Sequence, residues 1–186
     1  MLKILCVIVV VVMQTVRAQV FDVGRCSTNI TTVQDFRAAD YVGRWYEYSK
    51  YPFIFEILGR CIYAEYGVLS NNTISIKNHQ VNRFTGRSDE INGSAVERSS
   101  AKLYVTFDNI PAGSDYWVLG TDYTSYAVVY SCVDILGLLH TKVIWILTRD
   151  RFPSDEVVKT AQDVITSKQL SLNMLQKTEQ NNCPEN

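Results

Sequence analysis

Eight short runs rich in Tyr, Val, Ile and Thr, each closed by turn residues, constrain this chain more than any other feature. They span 45–50, 61–69, 73–81, 88–96, 102–107, 116–121, 125–133 and 142–148. The links between them carry Asn71-Asn72, Phe84-Thr85-Gly86-Arg87, Pro111-Ala112-Gly113-Ser114 and Asp122-Tyr123-Thr124. Short β-type runs at even spacing with short links predict an antiparallel meander, and eight strands can close on themselves. The expected fold is all-β: an eight-stranded up-and-down antiparallel barrel, forming a single domain over residues 19–186.

Several runs alternate. Ile74, Ile76, Asn78 and Gln80 share one face, and Ser75, Lys77 and His79 the other; Ile91, Gly93 and Ala95 oppose Glu90, Asn92 and Ser94; Leu103, Val105 and Phe107 oppose Lys102, Tyr104 and Thr106. Successive side chains point to opposite sides of a strand, so each run has one mostly apolar face. A single long helical signal follows the eighth run. Ser154 can cap it, Asp155 and Glu156 suit the positive end of its dipole, and Val158, Ala161 and Ile165 recur at helical spacing. One C-terminal α-helix over 155–167 is expected to pack outside the barrel, on the second apolar face of the eighth strand (Ile144, Ile146).

The N-terminal segment is of another kind. Lys3, an apolar stretch over 4–13 and Val16-Arg17-Ala18 read as a signal peptide of residues 1–18, too short to span a bilayer. The remaining 168 residues, expected to be secreted and extracellular, suffice for one core. Loss of Lys3 and Arg17 leaves 16 basic residues against 19 acidic, a net charge of −3. That balance lacks the basic patch that nucleic acid requires. Cys6 departs with the leader, leaving Cys26, Cys61, Cys132 and Cys183. An even number in a secreted chain implies two disulfides, in one of three pairings. A metal site is disfavoured, because no two of these cysteines are close in sequence and His79 and His140 are the only histidines. Sequons at Asn29, Asn71 and Asn92 suit the same compartment.

The sequence carries no Gly-x-Ser-x-Gly elbow, no His-Glu-x-x-His and no phosphate-cradling glycine loop. Its charges are expected on a solvated exterior, Asp89 being the one acidic residue on an inferred inward face. The interior is less uniform. Asn78 and Gln80 share a face with Ile74 and Ile76, and Tyr66 and Tyr116 bring hydroxyls. A buried polar group left unsatisfied costs about 1–3 kcal/mol. Either these groups satisfy one another and water near an open mouth, or they meet polar atoms of a ligand. A mostly apolar cavity with a few placed polar groups is the usual form of a small-molecule site.

Gly43-Arg44-Trp45-Tyr46-Glu47, Thr121-Asp122-Tyr123 and Leu147-Thr148-Arg149 resemble the three signature segments of the lipocalin family, in order and at suitable spacing. Gly59-Arg60-Cys61-Ile62, Tyr116-Trp117, Tyr130-Ser131-Cys132 and Asn182-Cys183-Pro184 extend the resemblance toward the branch of apolipoprotein D and the insect bilin-binding proteins. The resemblance implies a calycin barrel with Gly43 and Trp45 at its closed end and Arg149 across the indole, a favourable cation–π arrangement. It implies the pairings Cys26–Cys132 and Cys61–Cys183, and places His140 near the ligand. The implied ligand is held non-covalently: a fatty acid, sterol-like lipid, retinoid or bilin, with no other cofactor and no metal. Gln80 stands where bilin-binding relatives carry a histidine. Asp134 stands where apolipoprotein D carries an extra cysteine, so no disulfide to a partner is expected and a monomer is favoured.

With Trp45 at the closed end, loop 51–58 (Phe53, Phe55) and the connection 135–139 (Leu136, Leu138) fall at the mouth. Two apolar loops at one rim suggest a lid, or a surface for membrane or lipoprotein; the alternative is that they fold inward and complete the core. Residues expected to line the site are Ile62, Tyr66, Ile76, Asn78, Gln80, Ile91, Leu103, Val105, Tyr116, Val118, His140, Val143 and Trp145. The expected function is carriage of a small lipophile rather than catalysis. An isomerising lipocalin would need a free cavity thiol, and a receptor- or matrix-binding one would use the rim.

Overall fold

The computed structural model describes residues 20–70, 73–108 and 110–184. The leader over 1–18 and the sequon at Asn71 lie outside them. Eight strands form the barrel: β2 (Gly43–Lys50), β3 (Gly59–Ser70), β4 (Thr73–Asn82), β5 (Ser88–Ser99), β6 (Lys102–Phe107), β7 (Ile110–Thr121), β8 (Tyr126–Ile135) and β9 (Leu139–Thr148). Each pairs antiparallel with the next, and β9 closes on β2 with Tyr46 opposite Thr148 and Lys50 opposite Trp145. The period-2 runs therefore correspond to the wall of the barrel. Helix α2 (Asp155–Ser167) occupies the span that its cap and apolar spacing indicate, and the Ser154 side chain accepts from the Val157 amide.

Two short strands carry no alternation long enough to read. β1 (Val20–Val23) extends β9 past the end of β2, with Val23 opposite Leu139. β10 (Gln176–Lys177) lies on the other side of β2. The pairing of β2 with β3 covers only Gly43–Tyr46 against Tyr63–Tyr66. Beyond it the C-terminal tail occupies the seam. The Thr178 amide donates to the Tyr48 carbonyl at 2.9 Å, and the Cys61 amide donates to the Glu179 carbonyl at 2.7 Å. Gln180 Nε2 donates to the carbonyls of Glu47 (3.0 Å) and Ile62 (2.8 Å). Open strand edges must find partners, and here the tail supplies them. Cys61–Cys183 fastens the tail to β3, and Cys26–Cys132 fastens the N-terminal arm to β8.

Apolar side chains separate into two bodies. One fills the lower barrel around Trp45, Tyr66, Ile76, Leu103 and Val129. The other lies outside, where Leu119, Val128, Ile144 and Ile146 meet Ala161 and Ile165 of α2. Gly120 permits this approach: a Cβ there would lie 2.8 Å from Val164 Cγ1.

Candidate functional site

The closed end is built from a short helix, α1 (Ala38–Tyr41), and the start of β2. Trp45 is fully buried, and its indole Nε1 donates to the Tyr41 carbonyl at 2.8 Å. The Arg149 guanidinium lies 3.7 Å from the centroid of the indole. It donates to the carbonyls of Arg44 (2.9 Å), Tyr123 (3.0 Å) and Asp40 (3.2 Å). Gly43 makes room for it, with φ +95° and a would-be Cβ 3.2 Å from Arg149 Nη1. A cation over an aromatic face plus three backbone acceptors holds the end shut.

Above Trp45 lies a narrow cavity with room for about one water molecule. Ile74, Ile76, Ala95, Leu103 and Val105 line it together with the rings of Tyr41, Tyr66 and Tyr116, and the surface it exposes is wholly apolar. Tyr116 Oη lies 2.9 Å from both Tyr41 Oη and Tyr66 Oη. Burial pushes Tyr66 up to about 12 and Tyr41 and Tyr116 upward too, so all three phenols keep their protons.

Of the residues nominated from the sequence, Tyr66, Ile76, Leu103, Val105 and Tyr116 meet at this cavity. Val118 and Trp145 pack in the same interior body. Ile62, Asn78, Gln80 and Ile91 follow on β3, β4 and β5 toward the mouth. Gln80 Oε1 is buried without a hydrogen-bond partner. Val143 packs with Tyr51, Ile144 and Ile146 in the second body. His140 is not brought to the cavity. It shares strand parity with Ile144 and Ile146 rather than with Trp145 and Leu147, and its Nδ1 lies 3.0 Å from the Gly24 carbonyl, against the N-terminal arm. Tyr41, Ile74 and Ala95 line the cavity without having been nominated. Ile74 and Ala95 shared the right faces, whereas Tyr41 precedes the first strand run. His79 lies across the wall, stacked on Tyr63 at 4.4 Å between Glu65 and Glu90.

One group overturns the expectation that charges stay outside. Glu47 is 2% exposed and Lys50 is 8% exposed. Lys50 Nζ reaches Glu47 Oε1 at 2.5 Å and Glu56 Oε2 at 2.9 Å, and the Thr178 hydroxyl donates to Glu47. Glu47 shares the inward parity of Trp45, and the inserted tail seals it from water. Burial, then the neighbouring Glu56, pushes the Glu47 carboxyl up to about 8, against the pull of Lys50. Burial lowers the pKa of Lys50, but the two carboxylates outweigh that and hold it above its ordinary value. Glu56 belongs to the rim loop, so this cluster ties the rim to the wall.

At the rim, Phe55, Leu136 and Leu138 are exposed, Leu136 at 92%. Phe53 differs: it is half-buried and packs edge-on against Trp145 at 5.7 Å. Leu136 and Gly137 both have positive φ (55° and 71°) within the three-residue turn 136–138 that joins β8 to β9. Asn29 and Asn92 are exposed.

A closed antiparallel barrel, stoppered by a Trp–Arg pair and holding an apolar cavity with a few phenols, defines a lipocalin. The sequence profile described as "Lipocalin / cytosolic fatty-acid binding protein family" matches residues 42–182, and the chain belongs to that family. Apolipoprotein D of Oryctolagus cuniculus is 38% identical over 172 residues, covering 91% of this chain and 89% of that one. The bilin-binding protein of Pieris brassicae is 29% identical over 162 residues, covering 83% and 82%. Insecticyanin of the tobacco hornworm Manduca sexta superposes with a TM-score of 0.77 at 24% identity, over 87% of this chain and 89% of that one. That likeness shows the shared barrel.

Proposed function

We propose that this protein is a secreted carrier that holds one small lipophilic molecule inside its barrel. The observation that carries the reading is the apolar cavity above Trp45, closed below and walled by five aliphatic side chains. In its present packing the cavity is smaller than the roughly 300–1,000 Å³ of ordinary ligand sites. Admission of a ligand therefore requires the side chains of the interior to repack. Fatty acids, sterol-like lipids, retinoids and bilins are the classes to test, the last because a relative is a bilin-binding protein. Asn78 and the unpartnered Gln80 would serve as polar contacts. Secretion agrees with two disulfides and the expected leader. Binding rather than turnover agrees with the pairing of Cys26, Cys61, Cys132 and Cys183, which leaves no thiolate among the described residues; a reactive thiol in the unreduced protein would contradict it. The exposed rim residues Phe55, Leu136 and Leu138 would let the loaded protein touch a membrane or lipoprotein surface. Titration of each ligand class against tryptophan fluorescence tests the carrier: saturable quenching by at least one class is expected, and none by any would refute it.

A further inference from the structure

We propose that the Cys61–Cys183 disulfide is a thiol-exchange site, at which a low-molecular-weight thiol such as glutathione adds to Cys183 and unclasps the C-terminal tail from the barrel wall. Both cysteines line a small surface pocket with room for about one or two water molecules, bordered by the exposed residues Ser88 and Pro184. The two sulfurs are not alike. Cys61 is 3% exposed, whereas Cys183 is half-buried. Arg60 Nη1 lies 3.3 Å from Cys61 Sγ and donates to the carbonyls of Asn182 (3.1 Å) and Asn181 (3.5 Å). The sulfur that solvent reaches is therefore Cys183, and the sulfur that a cation stabilises as a departing thiolate is Cys61. Exchange quickens as the pKa of the leaving thiol falls, and an adjacent guanidinium lowers it.

In the first step the electron pair of the attacking thiolate forms a bond to Cys183 Sγ. The Cys61–Cys183 bond breaks, and its pair leaves on Cys61 Sγ beside Arg60. A second thiol molecule attacks the mixed disulfide, frees Cys183 and departs as the small-molecule disulfide, so two thiols are oxidised for the one bond reduced. The carboxylates near this face are engaged elsewhere: Asp89 pairs with Arg87 at 3.1 Å, and Glu179 accepts from the Asn181 amide at 2.8 Å. The other bridge has the opposite setting. Cys132 is 9% exposed, and the partner sulfur that solvent reaches, on Cys26, lies beside Asp134, whose Oδ1 accepts from the Cys26 amide at 2.9 Å. An approaching thiolate meets a like charge there. Arg25 does not offset it, because its guanidinium lies along the turn at Gly137. Opening Cys61–Cys183 removes the covalent tether from the segment that lends Thr178 and Gln180 to the β2–β3 seam.

The test incubates the purified, unreduced protein with excess reduced glutathione, quenches samples with N-ethylmaleimide and maps the cysteines by peptide mass spectrometry. Glutathione is expected on Cys183, with Cys61 alkylated, while Cys26–Cys132 is still intact. Opening of Cys26–Cys132 first or at the same rate, glutathione on Cys61 instead, or no exchange at either bridge would overturn the proposal. Arg60→Gln should slow exchange by about five- to tenfold, the worth of a solvent-screened contact between unit charges at that distance, and Arg60→Lys should restore most of the rate. The glutamine variant also loosens the tail, which by itself would speed exchange, so a slower rate reports the lost charge; an equal or faster rate would refute the role of Arg60. In the exchanged wild type the Thr178 amide should trade its proton with solvent faster than in the intact protein, and an unchanged rate would refute the unclasping.

Discussion

Replacing Glu47 with Gln should remove a pH dependence that the structure builds into the barrel wall. Glu47 is buried with Lys50, Glu56 and Thr178, and its carboxyl is pushed up to about 8 from 4.5, first by burial and then by Glu56. Between those values the folded protein holds a proton that the unfolded chain releases. Stability is thus fully present below pH 4.5 and is lost as pH rises toward 8. The slope has a ceiling of about 1.4 kcal/mol per pH unit, one proton's worth, and the whole window at most about 5 kcal/mol. Lys50, with its pKa held above the ordinary value, stays charged throughout the window and adds no slope. Gln at position 47 keeps the shape and accepts from Lys50 without titrating. Urea unfolding followed by tryptophan fluorescence at pH 5, 7 and 8.5 measures the effect. The variant should match the wild type to within about 1 kcal/mol at pH 5, as expected of a neutral isostere, and exceed it progressively from there to pH 8, where the difference levels off. Because His79 and His140 are present in both proteins, the difference isolates Glu47. Parallel pH profiles would refute the reasoning. A wild type that gains on the variant as pH rises would show that Glu47 is an ionised partner of Lys50.

Leu136→Asn relieves a leucine held at φ 55°, a conformation that costs an L-residue about 1–2 kcal/mol; melting should rise by about 2–4 °C. In liposome flotation, Leu136→Asn and the double variant Phe55→Ser, Leu138→Ser should each lose attachment with weak salt dependence, and flotation equal to wild type would exclude the rim as anchor. Gly120→Ala should cost about 1–3 kcal/mol by pressing a methyl into Val164, 2.8 Å away; Val164→Ala should restore most of it in a two-by-two unfolding series. The double variant Cys61→Ser, Cys183→Ser should lose about 2–5 kcal/mol and free the tail, so the amides of Cys61 and Thr178, which close the β2–β3 seam, should exchange with solvent far faster. Unchanged exchange would show that the tail stays without its disulfide.

The strands were legible because each sets an apolar face against a polar one at period 2, and α2 because Ser154 and the Val158–Ala161–Ile165 spacing define it. Trp45 and Arg149 stood out as a signature pair. The tail was not legible. Gln176–Gln180 has no periodicity, and its place in the seam depends on where β3 diverges from β2. The burial of Glu47 follows from that insertion and was hidden with it. Tyr41 was missed because it precedes the strands, although it stands one helical turn before Trp45 and its carbonyl receives the indole. His140 carried its own correction: it shares parity with Ile144 and Ile146, which face α2 rather than the ligand space.

Native mass spectrometry of the purified protein, incubated separately with a fatty acid, a sterol-like lipid, a retinoid and biliverdin, tests the carrier most directly. The account predicts a one-to-one adduct with at least one class, lost on unfolding, with a blue-green colour if the ligand is the bilin. A bare protein mass in all four mixtures would contradict it.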